Sequence, residues 1–279
     1  MTTPAGELRR EIIERARNWA AIAGAPSYES KNGVVFFESY KTRDTTAHGN
    51  FLTASYQAIL ANAHWRERLH KRHTGSRFLP AEKRQQARET DSCTSSAALL
   101  LSVACHPGAG SMLREAFGLS GLPEFGVGGA VPKRMSGHLR GDETELDMVL
   151  RGQRGSIACV VEAKLTEADF ATKGESVVES YADLSVVFNI DSLGRNKRGD
   201  YENYQLIRNV LAAHYHGARF LLLYDARRHD LRARLDVTLE AVRRAELVER
   251  CSGITWQDLA AASPADLKAF LADKYGITG

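Results

Sequence analysis

The nine residues 156–164, Ser-Ile-Ala-Cys-Val-Val-Glu-Ala-Lys, constrain this chain more than any other segment. Until Glu162 the run is apolar on both faces of an extended backbone. That pattern predicts a central strand covered on each side. A carboxylate at the end of such a strand needs a partner, either a protein cation or a divalent metal. Lys164 lies two residues on and so points to the same face, about 6.6 Å away at ~3.3 Å per residue. The segment before it, Glu-Leu-Asp-Met-Val-Leu (145–150), reads as the neighbouring strand of a hairpin and brings Asp147. If Arg151 pairs with Ser156 around a four-residue loop, Asp147 falls opposite Val160, on the Glu162 face and diagonal to it. A five-residue loop turns Asp147 to the wrong face, unless a bulge restores the register.

Two carboxylates on adjacent strands can hold one Mg²⁺ through oxygen ligands, with waters completing the shell. Such a cation polarises a phosphoryl oxygen and lowers the pKa of a bound water. A lysine beside it orients that water or stabilises developing charge. The ordered set of helix, strand, Glu-Leu-Asp strand, Glu-Ala-Lys strand, tyrosine- and glutamine-bearing helix and apolar strand resembles the PD-(D/E)xK nuclease superfamily. The resemblance covers roughly residues 89–225. It implies an α/β (α+β) fold: a restriction-endonuclease-like core with a central mixed β-sheet flanked by helices, and helical additions at both ends. It also implies a bacterial DNA nuclease using Mg²⁺, with Mn²⁺ as the alternative. Asp147 and Glu162 would be the metal ligands, Lys164 would assist the attacking water, and Gln205 would lie on the helix after the lysine motif. The domains expected are a helical N-terminal extension, 1–88, packed on the core, and a nuclease-like core, 89–279.

The chain also departs from that pattern. Leu146 stands where many members have proline before the first aspartate. Helix 94–105 contains no acidic residue, with Glu89 before it and Glu115 beyond it. Ser95-Ser96-Ala97 stands where one branch has Ser-Ser-Gln. The alternative reading is therefore a weak or inactive nucleic-acid-binding or regulatory protein of the same fold.

The formal charge of +3 is mild, but the positive residues cluster at 66–73, 83–88 and 194–198. Clusters matter more than the total for contacting phosphates. Arg195, Lys197 and Arg198 fall between the catalytic strand and the Gln205 helix and are the expected contacts to nucleic acid. DNA is the expected partner, with RNA and a homodimer left open. The four cysteines form no C-x-x-C pair, which argues against zinc ribbons and iron–sulfur clusters. The longest apolar run, near 97–105, is too short to span a bilayer, so no membrane partner is expected. Reduced thiols and an N-terminus without a hydrophobic signal core predict a cytoplasmic protein.

Periodicity predicts helices over 5–23, 51–73, 94–105, from near Ser176, over 201–215, 236–249 and 264–274. Strands are predicted at 34–37 and 219–224. Asn50, in Ala-His-Gly-Asn-Phe, reads as the N-cap of the 51–73 helix and this segment as a candidate substrate contact. Trp256 reads as a packing anchor. Tyr201 and Tyr204 read as core aromatics, with stacking on bases the alternative.

Overall fold

The computed structural model describes residues 3–135 and 138–279. The chain begins with helix α1 (Pro4–Ala23), the short strands β1 (Ser27–Glu29), β2 (Val35–Phe37), β3 (Ser39–Lys41) and β4 (Thr46–His48), then α2 (Thr53–Ala61), α3 (Ala63–Arg68), α4 (Ser96–Ala104) and α5 (Ala109–Phe117). Strands β5 (Leu122–Val127), β6 (Pro132–Met135), β7 (His138–Gly141), β8 (Leu146–Arg151) and β9 (Ile157–Ala163) follow. Next come α6 (Glu175–Val178), α7 (Leu184–Val187), α8 (Tyr204–His216), β10 (Arg219–Tyr224), α9 (His229–Glu240), α10 (Ala245–Val248) and β11 (Cys251–Thr255). Helices α11 (Trp256–Ala262) and α12 (Ala265–Tyr275) end the chain.

Two compact units form: residues 1–119 with 255–279, and residues 120–254. The division falls at 119 and 254, whereas the sequence placed a boundary at 88. Local bonding explains why residue 89 opens nothing new. Cys93 N–H donates to the Val35 carbonyl, Phe36 bridges Ser92, and the Asn50 amide donates to the carbonyls of Thr90 and Ser92. Asn50 is thus a buried strap and not a helix cap; α2 starts from Leu52. The helix expected over 51–73 breaks at Asn62. Asn62 takes an extended conformation, and its side chain accepts from the N–H groups of His64 and Trp65 to start α3.

In this unit α1 follows its periodicity. Thr3 caps it, Pro4 opens it, Leu8, Ile12 and Ala16 are buried, and Gly24 at φ 58° closes it. Trp256 is fully buried, as an anchor should be.

The second unit holds a five-stranded mixed sheet in the order β11-β10-β9-β8-β5. β10 runs parallel to β9, while β8 is antiparallel to both β9 and β5. The fold expectation holds: a central mixed sheet flanked by helices. β9 sits in the middle, as its two-sided apolar run requires, and its residues from Cys159 to Lys164 are buried throughout. On one face Val149, Val160, Phe220 and Leu222 join Leu206, Ile207 and Val210 of α8 in the core. The helix expected over 236–249 stops at Glu240. There Phe188 bridges Val242, Arg243 N–H donates to the Val187 carbonyl, and Asn189 N–H donates to that of Ala241, so tertiary pairing replaces the helical bonds. All four cysteines are buried and unbridged. Among the described residues no single helix is long and apolar enough to cross a membrane.

Candidate active site

The hairpin of β8 and β9 decides whether Asp147 and Glu162 can meet. Arg151 pairs with Ile157, not Ser156, so the connection holds five residues. That loop alone would turn Asp147 away from Glu162. A register shift between Leu150 and Arg151 corrects it: Leu150 pairs with Cys159, and Ala158 is the extra residue of a bulge. Beyond it Val149 pairs with Val160 and Met148 with Val161. One step further along that register, Asp147 lies across from Glu162. The expectation of a shared face holds, but the partner is Glu162 itself rather than Val160.

Around Glu162 the charges close tightly. Its side chain is fully buried, with Lys164 Nζ 3.0 Å from Oε1 and Arg208 3.5 Å from Oε2. The Asn209 amide donates to Oε2 at 2.7 Å. Oε1 has the lysine charge beside it but no aligned hydrogen bond. Lys164 donates to Gln205 Oε1 at 2.9 Å and lies 5.4 Å from the centre of the Phe170 ring. Asp147 is half-buried, and its Oδ2 accepts the Ala163 N–H at 2.9 Å.

The electrostatics follow from burial and proximity. Desolvation, and then the Glu162 charge, push Asp147 up to about 7. Burial by itself would lower Lys164, but the carboxylates of Glu162, Glu167 and Asp147 outweigh it and raise its pKa. Lys164 therefore stays protonated near neutrality and serves as a donor, not as a base.

Sequence reasoning found Asp147, Glu162, Lys164 and Gln205, and the structure gathers them. It missed Arg208 and Asn209. Both follow Gln205 at i+3 and i+4, so all three share the helix face turned to the sheet. An arginine and asparagine set between the apolar pairs Leu206-Ile207 and Val210-Leu211 were the available signal. Also missed was Arg228, fully buried after β10, which donates to the carbonyls of Leu165 (3.2 Å), Glu167 (2.8 Å) and Ala168 (3.3 Å). It pins the turn that follows Lys164. Gln205 is itself held by the backbone: its N–H donates to the Phe170 carbonyl, and Tyr204 N–H donates to that of Ala171.

The nucleic-acid contacts named from sequence separate. Arg195 is engaged within the protein, bonded to Glu175 (2.8 Å) and Glu179 (3.2 Å), with its guanidinium 3.9 Å from the centre of the Tyr201 ring. Lys197 and Arg198 are exposed. Tyr201 and Tyr204 are buried, in keeping with core packing. Glu89, before the first core helix, pairs with Arg68 and Lys71.

Gln205→Ala removes the acceptor that holds Lys164. The rate of any reaction at this site should fall by roughly 10–100-fold, as when an outer-shell partner is lost, while stability changes by about 1 kcal/mol. Thermal melts beside rate measurements check it; a large melting shift with normal specific activity would make Gln205 a core residue only.

The donor set fits one divalent cation. Two carboxylates share one face of adjacent strands, Glu162 Oε1 lacks an aligned donor, and burial raises Asp147. Among the described residues no third acidic, histidine or cysteine side chain completes a larger cluster.

A mixed five-stranded sheet bearing this acid–acid–lysine set at the end of its central strand defines a restriction-endonuclease-like protein. The family model described as "Restriction Endonuclease associating with ARP" matches residues 19–276, and the chain belongs to that family. No curated protein and no solved structure matches the chain.

Proposed function

We propose that the protein is a Mg²⁺-dependent nuclease of the PD-(D/E)xK type, hydrolysing phosphodiester bonds in DNA. The observation that carries this reading is the placement of Asp147 across from Glu162, with Lys164 3.0 Å from the same carboxylate. Asp147 and Glu162 hold the cation. When bound, it supplies Lewis acidity at the phosphoryl oxygen and a more acidic water. Lys164, kept protonated by its carboxylate neighbours, donates to the water or to the charge developing on phosphate. Gln205 fixes the direction of that donor. Arg208 and Asn209 hold Glu162 in place from α8.

Incubation of the purified chain with plasmid, linear and single-stranded DNA, and with RNA, in Mg²⁺, Mn²⁺ or EDTA tests the reading. Cleavage in metal and none in EDTA is expected. The second reading, a binding protein that keeps the fold without cutting, draws on the tight wrapping of Glu162 by Lys164, Arg208 and Asn209. It gives binding without cleavage in every metal.

Lys197 and Arg198 are the charges of the 194–198 loop that remain for substrate phosphates. Replacing both with alanine should weaken DNA binding and lower the salt slope by about two contacts' worth, uniformly across sequences. Parallel salt slopes for variant and wild type would remove the loop from the substrate path.

A further inference from the structure

Three sequence features left unused by the catalytic reading converge in the unit formed by residues 1–119 and 255–279. They are the Ala-His-Gly-Asn-Phe segment and the basic clusters 66–73 and 83–88. His48 and Phe51 from the first, Leu69 from the second, and Lys83, Gln86 and Arg88 from the third all line one cavity of about 200 Å³. That is room for one ring system, below the roughly 300–1,000 Å³ of sites for larger ligands. Its inner wall is aromatic. Phe37, Phe51 and Tyr56 are buried, Phe51 and Tyr56 stack at 5.3 Å, and Tyr28 stands half-buried beside them. Its polar side is open, since Gln86 and Arg88 are exposed.

The cavity is built to bind and not to react. Ser39, His48 and Asp91 line it together, but His48 Nδ1 accepts the Asn50 N–H at 3.1 Å. Nε2 therefore carries the proton and faces Asp91 at 3.2 Å. No ring nitrogen is left to activate Ser39, whose hydroxyl bonds Tyr56 at 2.8 Å. The carboxylates are committed as well, Asp91 to His48 and the Arg88 N–H, Glu38 to Lys83. What remains for a ligand is the Tyr28 ring, backed on one side by Phe36 at 5.5 Å and covered on the other only by the Lys83 ammonium at 5.0 Å, which a base would displace, together with an amide and a guanidinium. Outside, Arg72 and Arg88 form an antiparallel bridge, two exposed arginines directly across from one another. Like charges on directly opposed residues repel, and an anion beside them would lower that cost.

We propose that this cavity takes the base of a nucleotide, stacked on its aromatic wall, with Gln86 and Arg88 reading the base edge and Arg72 beside Arg88 holding the phosphate. Aromatic faces accept any base, and glutamine and arginine are the side chains that bond adenine and guanine edges. The ligand is a free mononucleotide or an unstacked nucleotide of a single strand. The inference does not rest on the metal site.

The test uses the full chain in EDTA, which removes any metal-dependent cutting. The probes are the four deoxynucleoside monophosphates, 2-deoxyribose 5-phosphate and a short labelled single strand. At least one monophosphate should bind saturably, at one site, while the base-free sugar phosphate does not. Tyr28→Ala should weaken that binding by about tenfold or more through lost stacking. Arg88→Ala should weaken it and lower the salt slope by about one charge. Equal losses with the labelled strand identify a polynucleotide as the source; losses confined to the monophosphates identify the free nucleotide. Gln86→Ala, at an exposed position, leaves the melting temperature unchanged and should alter the ranking of the four bases. The proposal is overturned if no monophosphate saturates at millimolar concentrations, or if the sugar phosphate binds equally well. Wild-type binding by folded Tyr28→Ala and Gln86→Ala overturns it too.

Discussion

Asp147→Asn is expected to abolish metal-dependent cleavage while making the metal-free protein more stable, and Glu162→Gln to lose both activity and stability. The two carboxylates share a proposed cation, yet their surroundings differ. Asp147 is pushed up to about 7 by burial and by the charge of Glu162. The native chain therefore holds a proton that the unfolded chain has released between about pH 4 and pH 7. Stability falls as pH rises through that window, and the loss is complete above it. Asparagine keeps the acceptor for the Ala163 N–H and removes the charge. At pH 8 the variant should gain on the order of 2 kcal/mol after allowance for partial exposure, and its melting curve should vary less with pH.

Glu162 is the opposite case. It lies between Lys164 and Arg208, and removing its charge takes from two buried cations the carboxylate that both of them contact. Breaking a buried pair costs about 3–5 kcal/mol. Both variants should cut at least about 10³-fold more slowly. Mg²⁺ should raise the melting temperature of the wild type but not of Asp147→Asn, because only a folded site with both ligands gains from binding. Undiminished cutting by Asp147→Asn, or an Mg²⁺ shift that survives it, would show that the cation sits elsewhere.

The parts of the site legible in sequence were those set by strand periodicity. Five apolar residues followed by Glu162 and Lys164 state both the burial of β9 and the side on which the charges emerge. Asp147 could be assigned only up to parity. Its actual register depends on a five-residue loop compensated by the bulge at Ala158, two one-residue events that leave no pattern in composition. Asn62 shows a local preference overriding a longer period, since capping α3 broke a helix that the apolar spacing would have carried through. The 236–249 helix failed for the reverse reason, because backbone pairing with residues 187–189 is non-local. The return of residues 255–279 to the first unit is likewise a matter of packing between distant segments.

Arg228 carries the second large expected effect. Its guanidinium is fully buried and spends its donors on three consecutive-turn carbonyls, those of Leu165, Glu167 and Ala168, and on the Asp230 carboxylate at 2.9 and 2.8 Å. A loop leaving a central strand carries backbone carbonyls that no ladder satisfies, and a buried unpaired carbonyl costs about 1–3 kcal/mol. One planar fork of donors serves all three at once, which an ammonium on a flexible stem does not. Arg228→Ala leaves the carbonyls and Asp230 without that partner and should cost about 3–5 kcal/mol. At roughly 2–4 °C per kcal/mol for a chain of this size, the melting temperature should drop by about 6–20 °C. Arg228→Lys should recover only part of it. The turn begins at Leu165, the residue after Lys164, so loosening it also frees the lysine from its place beside Glu162. At a temperature where Arg228→Lys remains folded, its cleavage rate should be below that of the wild type, and hydrogen exchange at residues 165–168 should be faster. A stable Arg228→Ala with unchanged exchange there would mean that water replaces the guanidinium and that the turn holds itself.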